Sequence, residues 1–268
     1  MNVEPQFRAA HAGHAQWHTA AQNCLMALAP LPPGANLGFL YVTDVLAPAL
    51  DDILAFFKSA THIDQWVGTV GIGVMGRDRE YFEQPAMSVM VGGWDAGAFR
   101  VFGSIRADVR ELFDTESQSA WCTQHNARFG IVHGDPRNTK TPALIGELSA
   151  ALDGGYLVGG ITSSRGPHAQ IAGEVTTGGL SGVLFADDVP VVTALTQGCT
   201  PLEPMHTVTE CRDNIVIEID GRPALDVLKE DIGEVLARDL ARAAGYIFVG
   251  LPIRGSDTGD YLVRNLIG

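Results

Sequence analysis

Residues 66–83 read WVGTVGIGVMGRDREYFE, and the reading of this stretch decides the fold. Trp66 to Val74 is apolar, rich in β-branched residues and interrupted by glycine, the pattern of a buried strand. Arg77, Asp78, Arg79 and Glu80 follow without helical periodicity, and Pro85 then breaks the chain. Gly71, Gly73 and Gly76 spell G-x-G-x-x-G. A dinucleotide fingerprint needs those glycines between a strand and a helix, so that a helix N-terminus meets the pyrophosphate. No helical pattern follows Gly76. Asp95 has the spacing of a ribose ligand but follows a Gly-Gly-Trp turn. The glycines are therefore read as places where a strand passes close to neighbouring backbone or to a ligand.

About ninety residues on, Tyr156–Gly166 (YLVGGITSSRG) echoes the stretch. Each follows a segment of helical pattern. Leu37–Thr43 (LGFLYVT) predicts a strand ended by Asp44, and Pro48 suits the first turn of a helix over Ala49–Ser59. Leu50, Ile53, Leu54 and Phe57 keep helical spacing. Phe129–His133, then Asp135, then Thr141-Pro142 opening ALIGELSAAL reproduce the order. Ala86–Val91 and Phe99–Ile105 add strands, and 107–121 is polar and partly helical. Asp187-Asp188 between 180–186 and 189–197, and Arg212–Asn214 within 206–219, predict two hairpins. Residues 223–243 read as helix in two pieces. Residues 7–29 predict an alanine-rich amphipathic helix, stopped by Pro30, Pro32, Pro33 and Gly34. The sum is an α/β (α+β) chain of mixed β-sheets with flanking helices, built from an internal duplication of strand-helix-strand-strand units. The repeat halves fall at about 37–125 and 126–230, after an N-terminal helix and Pro-rich link over 1–36.

The chain has 268 residues, 46% hydrophobic and 18% charged, which is ample core material. A net charge of -13 and scattered lysines and arginines argue against nucleic acid or an anionic membrane as partner. Cys24, Cys122, Cys199 and Cys211 lack metal-type spacing and read as reduced thiols. Neither a signal-peptide pattern nor an apolar run of about 20 residues is present, so a cytoplasmic protein is expected.

His11, His14 and His18 share one face of the expected N-terminal helix, a spacing open to a metal or haem and equally to a solvated face. His62, His125, His133, His168 and His206 are isolated, and spacing does not choose among them as axial ligands. No G-x-S-x-G occurs. Ser163, Ser164 and His168 are near in sequence, but a triad is defined in space. Cys199 ends a strand-like run without a basic neighbour to activate it. No constellation defines an enzyme.

The runs REYFEQPAMSVMVGGW (79–94), GGLSGVLFADDVPVVTALTQGC (178–199) and NIVIEIDGRPALDVLKE (214–230) together resemble the FIST family. The resemblance spans about Leu37 to Glu230, the N-terminal FIST part. Residues 231–268, with AGYIFVGLPI at Ala244–Ile253 and then Asp260–Ile267, look like the start of the C-terminal part. Such a start would leave a strand edge open near Ile247–Ile253. The resemblance implies an intracellular sensory protein that binds a small ligand, such as an amino acid, and passes the signal to a partner such as a histidine kinase. It also implies an alternative, a haem-binding nitric-oxide sensor regulating a histidine kinase or a cyclic-di-GMP enzyme. No family haem histidine maps onto a matching motif, and His11, His14, His18 and His168 are the candidate haem or metal ligands that the sequence itself offers. A module that binds only protein is the third reading, and an enzyme using Cys199 or a serine the fourth. The ends of the two Gly-rich strands supply the expected ligand site: Gly71, Gly73, Arg77 and Glu80 with Gly160, Ser163, Ser164 and Arg165. Arg77 and Arg165 would hold a carboxylate, or else pair with the abundant acids.

Overall fold

A computed structural model describes residues 7–113, 116–152, 155–194, 198–202, 204–252 and 261–267. The chain divides into two compact units, Met1–Val191 and Val192–Gly268.

In the first unit the elements run β1 (Phe7–Gly13), α1 (Trp17–Leu28) and β2 (Ala35–Thr43), then a 3-10 turn (Asp44–Ala49) and α2 (Leu50–Thr61). β3 (Gln65–Gly71) and β4 (Gly73–Met75) follow, then β5 (Glu80–Phe82), β6 (Ala86–Gly93) and β7 (Phe99–Ile105). After α3 (Arg110–Phe113) and α4 (Glu116–His125) come β8 (Phe129–Gly134), α5 (Thr141–Ala151) and β9 (Tyr156–Ile161). β10 (Gln170–Ala172), β11 (Glu174–Thr176) and β12 (Leu180–Phe185) complete the unit.

Two sheets result, ordered β1-β6-β2-β3-β10-β11 and β7-β12-β8-β9. In each, one pair is parallel, β2 with β3 and β8 with β9, across a helical crossover. The remaining pairs are antiparallel. The order β1-β6-β2-β3 thus has the same form as β7-β12-β8-β9. The inner faces meet in one apolar layer, where Leu37, Phe39 and Val67 pack with Val183 and Phe185. Trp94 contacts Phe39, Phe99 and Phe185 edge-on or tilted, the geometry favoured by ring quadrupoles. The outer face of the first sheet buries Leu40, Val42, Trp66 and Val70 under Cys24 and Leu28 of α1 and Ile53 and Phe57 of α2. The outer face of the second buries Val132 and Leu184 under Trp121, Leu144 and Leu148 of α4 and α5. Layers of helix, sheet, sheet and helix explain why LGFLYVT is apolar at almost every position: both faces of a central strand are covered.

Two sequence expectations fail. Residues 7–13, expected as helix, form strand β1, and the helix begins only at Trp17. Alanine's helix propensity yields to pairing along the whole of β6, with Ala10 and Ala12 alternating into the core. His11, His14 and His18 therefore do not share a helix face. The hairpin expected at 180–197 has only its first strand, β12: residues 190–194 are not strand, and 195–197 lie outside the described residues. β12 already has β7 and β8 on its two sides, so no edge is free for a returning strand.

The second unit holds the hairpin β13 (Val208–Arg212) and β14 (Ile215–Ile219), with Asp213 in the left-handed conformation at its turn. β15 (Arg222–Pro223) extends it, and α6 (Ala224–Ala237), kinked at Gly233, and α7 (Leu240–Ala243) form the two helical pieces. β16 (Phe248–Pro252) pairs antiparallel with β17 (Tyr261–Asn265), so the edge expected open there has a neighbour on one side; Ile253 and Asp260 lie outside the described residues.

Candidate functional site

Where the parallel strands end at their carboxyl termini, a cleft of about 500 Å³ opens in the first unit. Its volume falls in the range of small-molecule pockets. Its position, outside the carboxyl ends of parallel strands, is where open α/β sheets bind ligands. Gly71 and Gly73 line one side, Ile161 and Ser163 the other, with Tyr41, Thr69 and Ser88 between.

The opening stretch builds the first side. β3 ends at Gly71 and the chain bends so tightly that a Cβ on Gly71 would lie 2.7 Å from the Gly73 carbonyl oxygen. β4 and β5 then form a hairpin closed by Gly76 N–H donating to Arg79 O at 2.7 Å. Tyr81 pins it: the ring is buried with Val74 and Ala86, and its hydroxyl meets His11 Nδ1 at 2.8 Å. His11 Nε2 lies 3.1 Å from Asp78. So the G-x-G-x-x-G sits in a strand, a bend and a hairpin, with no helix N-terminus to receive a phosphate.

Between the two sides, Ser88, Tyr41 and Thr69 stand in one register row across β6, β2 and β3. The matching row of the second sheet is Ser181, His133 and Gly160. Tyr41 Oη meets His133 Nε2 at 3.1 Å, joining the two rows across the interior. His133 is 2% exposed, and its Nδ1 is buried without a partner. Desolvation pushes its pKa down to about 4 and that of the Tyr41 hydroxyl up to about 12, so both are neutral at pH 7. Thr69 is fully used: it shares a 2.7 Å hydrogen bond with Thr162 Oγ1 and donates to Ala169 O at 3.0 Å.

The segment after β9 crosses over the end of the first sheet. Arg165 N–H donates to Asp44 Oδ2 at 2.9 Å, and its guanidinium pairs with Glu83 at 2.8 Å. Asp44 Oδ1 and His168 Nδ1 are buried without partners. Asp135, beyond β8, accepts from Arg137 N–H and its guanidinium, each at 2.9 Å, and from Gly178 N–H at 3.0 Å. Burial alone would raise its pKa, but these hydrogen bonds prevail and hold it below the usual carboxylate range.

Of the residues expected at a ligand site, Gly71, Gly73 and Ser163 line one cleft. Gly160 lies beside them on β9 with open space over its Cα. Arg77 and Glu80 are exposed on the β4–β5 hairpin, and Ser164 accepts from Gly166 N–H. None of these three lines the cleft, and neither does Arg165, which is committed to Glu83. Tyr41, Thr69 and Ser88 are not among the residues the sequence singles out, and His133 is there only one of five isolated histidines. The one signal available was a polar side chain in each apolar strand, Tyr41 in LGFLYVT and His133 in FGIVH.

The four histidines expected as haem or metal ligands do not meet at a cleft. His11 uses both ring nitrogens on Tyr81 and Asp78, His14 bonds to Gln16, and His18 stacks on Trp17. None of the three, nor His168, lines this cleft or the second one, also about 500 Å³, beside Asn36, Phe99 and Trp121. Among the described residues no group of three His, Cys, Asp or Glu is placed to hold a metal. Among the described residues no helix is long and apolar enough to cross a membrane.

The first unit is thus a layered α/β domain with a cleft at the carboxyl ends of its parallel strands. Residues 36–222 match the FIST N domain, and the chain belongs to the FIST family, a family of sensory-type domains. It is 28% identical over 235 residues to uncharacterized proteins of Mycobacterium tuberculosis strains CDC 1551 and H37Rv, covering 81% of this chain and 57% of each relative. It is likewise 28% identical over 144 residues to an uncharacterized protein of Mycobacterium bovis, 50% of this chain and 36% of that one. The chain thus spans 57% of the length of these Mycobacterium tuberculosis relatives and 36% of the Mycobacterium bovis one.

Proposed function

We propose that the chain is an intracellular sensory protein that holds a small ligand in the cleft between β4 and β9 and passes its state to a partner such as a histidine kinase. The observation that carries this reading is the meeting of the two Gly-rich stretches, ninety residues apart in sequence, at one cleft. The lining supports it: hydroxyls of Tyr41, Ser88 and Ser163 on the floor and rim, and the apolar Ile72, Met75 and Phe82 on the wall. Met75 is 67% and Phe82 61% exposed. A ligand covering them changes the surface of the hairpin, and such a change is what a partner protein can read.

A thermal-shift screen against amino acids, haem, nucleotides and small amides tests the reading. A compound at a hundred times its Kd stabilises by about 2.7 kcal/mol. Ser163→Trp fills the cleft from an exposed position, and the shift should vanish in that variant. A flat screen would remove ligand sensing and favour a module that binds only protein.

A further inference from the structure

We propose that the Tyr41–His133 pair makes the floor of the cleft a fixed hydrogen-bond donor, and that the ligand it selects is uncharged, with a carbonyl or amide oxygen on Tyr41 and an apolar body against Met75 and Phe82. This rests on the reading of the cleft as a ligand site and names the chemistry of that ligand.

Two arrangements satisfy the 3.1 Å contact between Tyr41 Oη and His133 Nε2. In one, Tyr41 donates to a bare Nε2, and the imidazole proton sits on Nδ1. In the other, Nε2–H donates to the tyrosine oxygen, and Nδ1 carries the lone pair. Nδ1 is buried and has no partner. A buried N–H without an acceptor is rarer and costlier than a buried acceptor without a donor. The second tautomer is therefore the one the surroundings support. It leaves the Tyr41 hydrogen free to turn away from His133, and Tyr41 lines the cleft. Among the described residues Tyr41 Oη has no other hydrogen-bond partner.

The rest of the lining sets the charge of the ligand. No acidic or basic side chain lines the cleft. An ion placed there would lose hydration without a counter-charge. Arg165 is held by Glu83, and Arg77 stands out on the hairpin, so neither guanidinium supplies one. Thr69 has spent its hydrogen on Ala169 O. The donors left for a ligand are Tyr41, Ser88 and Ser163, and they suit a neutral oxygen acceptor.

The test uses three probes of one shape on the full chain: benzamide, benzoate and benzylammonium, titrated at millimolar concentration and followed by thermal shift and NMR. Benzamide should bind at least tenfold more tightly than either ion. Tyr41→Phe, which deletes only the donor, should weaken benzamide about tenfold, the worth of one neutral hydrogen bond. Nitrogen-15 shifts of His133 in the unaltered protein should show the proton on Nε2, a readout that does not depend on any variant folding. A proton on Nδ1 overturns the donor assignment. Equal or tighter binding of an ion overturns the neutral ligand class while the cleft remains a ligand site. If none of the probes binds but another compound does so in a manner abolished by Ser163→Trp, the ligand class falls and the cleft reading stands. If nothing binds there, both fall.

Discussion

Gly159 and Gly160 are adjacent in β9, yet adding one methyl group should affect them very differently. A Cβ on Gly159 would lie 1.8 Å from the Val132 carbonyl oxygen of the parallel neighbour β8, and its φ is +142°. An ordinary carbon–oxygen contact is about 3.3–3.6 Å, so one strand must move by roughly 1.5 Å. That breaks about two ladder hydrogen bonds at about 1 kcal/mol each. Forcing an alanine into this φ adds about 1–3 kcal/mol. Gly159→Ala should thus cost about 3–5 kcal/mol, a large share of the 5–15 kcal/mol typical of a folded domain. Gly160 meets nothing within 4 Å of its Cβ, so Gly160→Ala should stay within about 1 kcal/mol of the parent. Gly68 makes the corresponding approach to Leu40 O, also at 1.8 Å, and Gly68→Ala should match Gly159→Ala. Trp17, Trp66, Trp94 and Trp121 all lie in the first unit, so urea unfolding followed by tryptophan fluorescence reports on that unit. If Gly159→Ala and Gly160→Ala agree within about 0.5 kcal/mol, the close approach of β8 and β9 is not what the glycine serves.

Other consequences concern charge. His133 is held neutral, its pKa lowered to about 4 by desolvation; between pH 6.5 and 4 the unfolded chain takes the proton first, so stability falls with pH by up to about 3 kcal/mol. Urea midpoints against pH should show that loss, and His133→Phe should flatten it; an unchanged slope rejects the cause. His206 behaves oppositely: its ring nitrogens lie 2.6 Å from Asp220 and 3.1 Å from Asp231, and the first of these bonds leads in raising its pKa. Its contribution is full below pH 6.5 and lost as pH rises through the raised value, so an NMR titration should place its pKa above 6.5 and lower it in Asp231→Asn. Asp135→Ala should cost about 1–3 kcal/mol by removing the buried acceptor of the Arg137 and Gly178 N–H groups. Arg165→Ala, which removes an exposed pair with Glu83, should cost under about 1 kcal/mol. Melting temperatures in the order Arg165→Ala above Asp135→Ala check the pair.

The central strands LGFLYVT and FGIVH were legible because their faces are covered. YLVGG, an edge strand with Tyr156 and Ile161 exposed, was legible from its β-branched and glycine content. All three runs are bounded by Asp, Pro and Gly, and those signals are local. β1 was not legible: FRAAHAG is strand only because β6 offers an edge along its whole length, a fact absent from the seven residues themselves. The missing second strand at 190–194 has the same cause in reverse, since β12 has no side left. At the site, the glycines were found and the side chains beyond them were misplaced. Arg77 and Glu80 follow Gly76 in sequence, but the hairpin turns them outward. Tyr41 and His133 are ninety-two positions apart and meet only because two sheets pack face to face, so no spacing rule could pair them.

The cleft exists because the two like sheets differ at one place. In the first sheet the open side of β3 is taken by β10, with Gln170, Ile171 and Ala172 opposite Thr69, Gly68 and Val67. β10 and its partner β11 are the hairpin between β9 and β12. The hairpin of β4 with β5, between β3 and β6, makes no such return, and among the described residues β9 has β8 as its only neighbour. Tyr81 accounts for the difference. Its ring packs so close to β1 that a Cβ on Gly13 would lie 2.9 Å from it, and its hydroxyl is held by His11. Pinned to the first sheet, β5 cannot lie along β9, and the space between them is lined instead by Gly71, Gly73, Ile161 and Ser163. The same pinning leaves Phe82 and Met75 uncovered over a floor set by Tyr41. A fold that closes one sheet edge and holds the matching hairpin away from the other therefore produces a pocket without inserting any new element, which is why the motif that marks it looks like an ordinary Gly-rich strand.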